Sequence, residues 1–162
     1  MVSIMNEALL LEVGHKVLEV GAGSGWHAAT IAEIVAPGEA PRSEWGHVYT
    51  VEIVQGLADF ARRNIMNAGY GDRATIVCAD GSLGYPENAP YDRILVTAAA
   101  PDVPKPLVEQ LKPNGIMLIP VGSIHFFQSL IKITKGVDGK IREESLGGVA
   151  FVPLTGRYGH KY

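Results

Sequence analysis

A single cysteine, Cys78, stands among the 162 residues. One thiol excludes an internal disulfide framework and a cysteine-built zinc site, and a reducing compartment is its simplest setting. Charge is also scarce: charged residues make up 19% and the net charge is −3, so a basic surface that tracks nucleic-acid phosphates is not the expected feature. No apolar run approaches the about 18–20 residues of a membrane span. The opening Met1-Val-Ser-Ile-Met-Asn-Glu has neither the basic start nor the long apolar core of a signal peptide. His15, His47, His125 and His160 are scattered, His27 reads as a packing residue, and no His/Asp/Glu group has metal-ligand spacing. The chain thus reads as one cytoplasmic domain over residues 1–162, with no metal, nucleic-acid partner or membrane contact. Hydrophobic residues, at 47%, give it the balance of a globular protein.

Apolar runs alternate with amphipathic segments. Helical spacing of Val2, Met5, Leu9 and Leu10 predicts a helix over 1–13, ended by Gly14. Residues 16–20 form a short apolar run entering a glycine cluster, which predicts a strand. A helix over 26–36 is broken by Pro37 and Gly38, and 37–47 reads as a loop. Strands at 48–53, 74–79, 91–98 and 116–121 alternate with helices at 57–68 and 105–112. Two more strands, 126–134 and 140–154, flank Asp138-Gly139, a hairpin turn pair. Strands separated by helices imply an α/β, doubly wound, mostly parallel sheet with helices on both faces, and the tail adds a C-terminal antiparallel hairpin. Cys78 is expected to point inward as a small buried residue. Arg62 and Arg63 read as a solvated helix face. Trp45 fits either a partner contact or a local cover.

In such sheets ligands bind beyond the carboxyl ends of the strands, near the point where strand order reverses. Gly21, Ala22, Gly23, Ser24 and Gly25 follow the first strand there. Glycines let the backbone pass close to a ligand, and the helix that follows offers N–H donors. The spacing is GxGxG, and Trp26 occupies the position where a dinucleotide fingerprint needs its third glycine. Glu19, two residues before Gly21, disfavours a phosphate and favours a cationic amine. Glu52 ends the second strand, 31 residues after Gly21, where a carboxylate accepts from both hydroxyls of a ribose. Asp80 and Gly81 end the third strand, a place to accept from an exocyclic amine and donate to a purine ring. Adenosine plus an amino-acid moiety describes S-adenosylmethionine.

Three stretches then narrow the reading: Asp80-Gly-Ser-Leu-Gly-Tyr85, Ala89-Pro-Tyr-Asp-Arg-Ile-Leu-Val-Thr-Ala-Ala-Ala-Pro101, and Pro106-Leu-Val-Glu-Gln-Leu-Lys-Pro-Asn-Gly-Ile-Met-Leu-Ile-Pro-Val-Gly122. With Gly25-Trp-His-Ala-Ala29 and Val149-Ala-Phe-Val-Pro-Leu-Thr155, they resemble the protein-L-isoaspartate (D-aspartate) O-methyltransferases, class I S-adenosylmethionine-dependent enzymes with a Rossmann-like sheet. The resemblance covers essentially the whole chain. It implies methyl transfer to the free carboxylate of L-isoaspartyl and D-aspartyl residues in damaged proteins, with isoaspartyl proteins and peptides as partners. It implies cofactor contacts at Glu19, Gly21 to Gly25, Glu52, Asp80 and Gly81. It places Thr97, Ala98, Val152, Pro153, Leu154 and Thr155 in the substrate cleft. The family's Ser/Thr motif that faces the reacting carboxylate matches a position before Met1, so the resemblance assigns no catalytic residue inside this sequence. Loop 37–47 departs from the family's shorter connection and is expected to lie away from the cofactor. Two alternatives stay open: a methyltransferase of another substrate, and a cofactor-binding core with impaired catalysis.

Overall fold

The computed structural model describes residues 1–123 and 126–161; His125 lies outside them. The elements are α1 (Val2–Ala8), β1 (Lys16–Val20), α2 (Trp26–Val35), β2 (His47–Glu52), α3 (Gln55–Asn67), β3 (Ala74–Cys78), β4 (Tyr91–Val96), α4 (Lys105–Gln110), β5 (Leu111–Gly122), β6 (Gln128–Lys135) and β7 (Ile141–Val149). They build one seven-stranded sheet in the order β3-β2-β1-β4-β5-β6-β7. Strands β1 to β5 are mutually parallel, and β6 runs antiparallel to both of its neighbours. Strand order reverses between β1 and β4, so the crevice at their carboxyl ends is the expected ligand position.

Central β1 is covered on both faces, which is why it reads as a nearly unbroken apolar run. Val17 packs with α1, α2 and α3 on one side of the sheet. Leu18 and Val20 pack with Leu107 of α4, Tyr91 and Leu154 on the other. In α3 the buried Ala58, Ala61 and Ile65 share one stripe. Gly25 caps helix α2; its φ of +83° is open to glycine, and a Cβ there would lie 3.1 Å from Ile65 Cγ1. That close approach sets the glycine loop against α3.

The departures from expectation have local causes. Helix α1 stops at Ala8 rather than near residue 13. Arg93 Nε donates to the Leu9 carbonyl at 2.6 Å and its Nη2 to the Leu10 carbonyl at 3.1 Å, so β4 takes acceptors that a longer helix would use itself. Strand β5 starts at Leu111, five residues early, because a register shift between Tyr91 and Arg93 lets Leu111 pair with Tyr91. Strand β7 ends at Val149, and the chain beyond it leaves the hairpin to pair with Ala99. Cys78 is exposed, contrary to the buried expectation. It shares a face with buried Ala74 and Ile76 but is the last residue of the edge strand. Arg62 and Arg63 lie in solvent as expected.

Loop 37–47 sits at the amino ends of β1 and β2, where Lys16 pairs with His47, opposite the crevice. Half-buried Trp45 packs against the core there. Its Nε1 donates to the Ala40 carbonyl at 3.0 Å, and the guanidinium groups of Arg42 and Arg73 lie 4.9 and 5.3 Å from its ring. Trp45 is thus a local cover.

Candidate functional site

Two cavities open at the carboxyl ends of β1 and β4. The larger, about 420 Å³, is lined by Gly21, Gly23, Glu52, Gly81, Thr97, Ala98 and the segment Val152 to Thr155, with Ile53, Val54 and Leu57 along one wall. The smaller, about 290 Å³, is lined by Glu19, Gly21, Ala22, Gly23, Ser24, Trp26, His27, Thr97 and Phe151, with Met1 and, from α1, Val2 and Met5. Gly21, Gly23 and Thr97 line both, so the glycine loop is a low wall between two compartments.

Backbone demands fix that wall. Gly21 has φ +99°, and a Cβ there would stand 2.4 Å from Thr97 Oγ1. That hydroxyl donates to the Gly21 carbonyl at 2.7 Å and lies 3.0 Å from the Val20 carbonyl. Gly23 has φ +52°, and nothing lies within 4 Å of its missing Cβ: its open side faces the cavities. Glu52 braces the loop from β2, one oxygen accepting from Gly23 N–H and the other from Val54 N–H, both at 3.1 Å. Ser24 is exposed; its carbonyl accepts from Asn64 Nδ2 at 2.8 Å.

Glu19 is fully buried, and neither of its carboxylate oxygens has a hydrogen-bond partner among the described residues. Burial pushes its carboxyl up to about 8. The Thr50 hydroxyl opposes this from alongside, without reaching hydrogen-bond geometry, and the Glu52 carboxylate adds to it. A buried acceptor without a partner is costly, and it marks a place where a donor is wanted. Beside it, His27 is held down to about 4 by burial. Its Nε2 meets Asn6 Oδ1 at 2.8 Å, while Asn6 Nδ2 donates to Thr30 Oγ1 at 3.1 Å. His27 therefore joins α1 to α2, in keeping with the packing role expected of it.

Asp80 lies at the β3 exit, outside the lining of either cavity, while Gly81 reaches the larger one. One Asp80 oxygen accepts from Ser82 N–H at 2.9 Å and from its hydroxyl at 2.6 Å; the other accepts from Arg157 N–H at 2.8 Å. A Cβ on Gly81 would lie 2.6 Å from Val20 Cγ1, which keeps that backbone pressed to β1. Ile53, Val54, Leu57, Trp26 and Phe151 were not singled out as lining residues from the sequence. For Ile53, Val54 and Leu57 the signal was the apolar run that crosses from the strand at 48–53 into the helix at 57–68; Trp26 and Phe151 stood in motifs read for other reasons.

A sequence model of the protein-L-isoaspartate(D-aspartate) O-methyltransferase family matches residues 1–159. The chain belongs to that family. A protein-L-isoaspartate O-methyltransferase of Hyperthermus butylicus is 58% identical over 159 residues, which are 98% of this chain and 66% of that protein. The chain thus spans about two thirds of the length of such curated relatives. Among solved structures, a protein-L-isoaspartate O-methyltransferase superposes with a TM-score of 0.86 at 30% identity, covering 98% of this chain and 47% of the other. A Plasmodium falciparum protein described as a putative protein-L-isoaspartate O-methyltransferase, in complex with S-adenosyl-L-homocysteine, gives 0.79 at 27% identity, covering 94% and 71%. The sheet is accordingly the Rossmann-like methyltransferase sheet expected of the family.

Proposed function

We propose that this chain, as one domain, binds S-adenosylmethionine and transfers its methyl group to the free carboxylate of L-isoaspartyl and D-aspartyl residues in damaged proteins. The observation that carries the reading is the pair of cavities divided by Gly21, Gly23 and Thr97, with the orphaned Glu19 carboxylate in the smaller one. An amino-acid end and a nucleoside end fit two such compartments. The buried, unpartnered carboxylate fits a cationic amine, and the glycine positions leave the backbone bare where a ligand must pass. A reducing, cytoplasmic setting suits the single cysteine.

In this reading Glu19 takes the ammonium, Gly21, Ala22, Gly23 and Ser24 form the floor, which Gly25 sets against α3, and Glu52 takes the ribose hydroxyls. Gly81 faces the adenine, and Asp80 braces that wall from behind through Ser82 and Arg157. When bound, the sulfonium supplies an electrophilic methyl group. Thr97 and Ala98 hold the meeting point of cofactor and peptide from below, and Val152, Pro153, Leu154 and Thr155 form the peptide rim above it. An isoaspartyl carboxylate is already ionised at neutral pH and is itself the nucleophile, so the chain need supply no general base. Its contribution is in-line orientation and exclusion of water, which the apolar wall of Ile53, Val54 and Leu57 favours.

The test is transfer of a labelled methyl group to an isoaspartyl peptide beside its normal aspartyl twin. Labelling of the isoaspartyl peptide alone is expected. Equal labelling of both, or labelling of neither by a chain that binds the cofactor, overturns the reading.

A further inference from the structure

The segment that forms the peptide rim is pinned at two places. At one, Ala99 N–H donates to the Val152 carbonyl and Leu154 N–H to the Ala99 carbonyl, both at 2.8 Å. At the other, Arg157 N–H donates to Asp80 Oδ2 at 2.8 Å and Tyr158 N–H to the Ser82 hydroxyl at 3.0 Å. Gly156, between them, has φ +114°, and a Cβ on it would stand 2.1 Å from Asp80 Oδ1. The backbone therefore lies directly on that carboxylate. His160 N–H returns to the Leu154 carbonyl at 2.8 Å and Gly159 N–H to the Gly156 carbonyl at 3.1 Å, closing the segment on itself. Ala99 follows β4, and Asp80 follows β3. A strap held at these two points runs along the mouth of the larger cavity, whose lining includes Gly81, next to Asp80, and Val152 to Thr155.

Ser82 is the joint of the second pin. It is fully buried and does not line the cavity. Its hydroxyl gives its proton to Asp80 Oδ1 at 2.6 Å and accepts from the strap at Tyr158. We infer that Ser82 is a positioning residue that holds strap 152–158 across the cavity and couples a ligand in that cavity to the peptide rim, so that cofactor and peptide favour each other's binding. The inference rests on the function proposed above. The cavity is lined by Gly81, next to Asp80, and by Val152 to Thr155 of the strap. A ligand that settles there orders both partners of the second pin, and by linkage the coupling works equally in both directions.

The experiment uses S-adenosylhomocysteine and an isoaspartyl peptide as probes on the full chain, for the wild type and Ser82→Ala. In the wild type, S-adenosylhomocysteine tightens peptide binding about fivefold or more, and the peptide tightens S-adenosylhomocysteine by the same factor. In Ser82→Ala that coupling falls to about one while affinity for S-adenosylhomocysteine alone stays within about twofold. Hydrogen exchange gives a readout independent of the peptide: S-adenosylhomocysteine slows the Arg157 and Tyr158 amides in the wild type, and the Tyr158 effect is lost in the variant. Full coupling in Ser82→Ala, or Tyr158 exchange that ignores S-adenosylhomocysteine in the wild type, overturns the inference. A wild type that binds isoaspartyl and aspartyl peptides alike, yet shows the exchange effect, overturns the substrate reading and leaves the strap standing. If Ser82→Ala fails to fold, Tyr158→Pro removes the same N–H donor from the tail, and the coupling measurement together with Arg157 exchange decides.

Discussion

The hydroxyl of Thr97 stands where a Cβ on residue 21 would be, 2.4 Å from that position, and donates to the Gly21 carbonyl at 2.7 Å. Two adjacent parallel strands are thus fastened at the point where strand order reverses, and no side chain fits between them. Gly21→Ala meets this hydroxyl and a positive φ together, and should cost about 2–4 kcal/mol. Thr97→Ala removes the obstacle together with its hydrogen bond, so Gly21→Ala should cost less in that background. Denaturant melts of the double-mutant cycle measure the difference, and additive costs would show that the hydroxyl is not the obstacle.

Glu52 spans Gly23 N–H and Val54 N–H from inside the site. Glu52→Ala leaves two part-buried donors without their acceptor and should cost about 1 kcal/mol. It should also weaken cofactor binding, as read by calorimetry. Glu52→Gln keeps one acceptor oxygen and should fall between the wild type and Glu52→Ala on both measures.

The buried Glu19 carboxyl gives a pH signature. Its proton leaves near 8 in the folded chain and near 4.5 in the ordinary carboxyl. Between these values the folded chain holds a proton that the unfolded chain has lost. The stabilisation is therefore complete below the lower value, declines as pH rises, and is gone above about 8. Thermal melts at pH 6 and pH 9 should show this loss in the wild type and a smaller one in Glu19→Gln. A cationic amine binding at pH 7 selects the ionised form and should release about one proton, read by calorimetry in two buffers of different ionisation enthalpy. No proton release would separate Glu19 from the amine.

Cys78 ends the edge strand in solvent. A thiol reagent should label the native chain with one equivalent before any denaturant is added. Labelling that waits for unfolding would restore the buried reading.

The alternation of strands and helices was legible because β1, β2, β3 and β4 are short apolar runs separated by amphipathic stretches. The glycine loop with Glu19, Glu52 and Gly81 was legible because strand ends must deliver these residues to one crevice. The Arg93 contacts that end α1, the Tyr91 pairing that lengthens β5, and the Arg157 bond to Asp80 were not legible. Each joins residues more than 15 positions apart through a backbone group, and a backbone group carries no mark in the sequence. Cys78 was misread because alternation names the face of a strand but not whether anything covers its end.

Gln128, at the start of β6, faces Phe151 with both ends of its amide. Its Oε1 accepts from Phe151 N–H at 2.6 Å and its Nε2 donates to the Phe151 carbonyl at 3.0 Å. The next residue, Val152, begins the cavity rim. The β6–β7 hairpin, which sends no strand residue into either cavity, is thus the cantilever from which the rim hangs. A slip of register at its 136–140 turn, at the far end of the hairpin, would move the wall of the site, while the loop at 37–47 can change length without the site registering it.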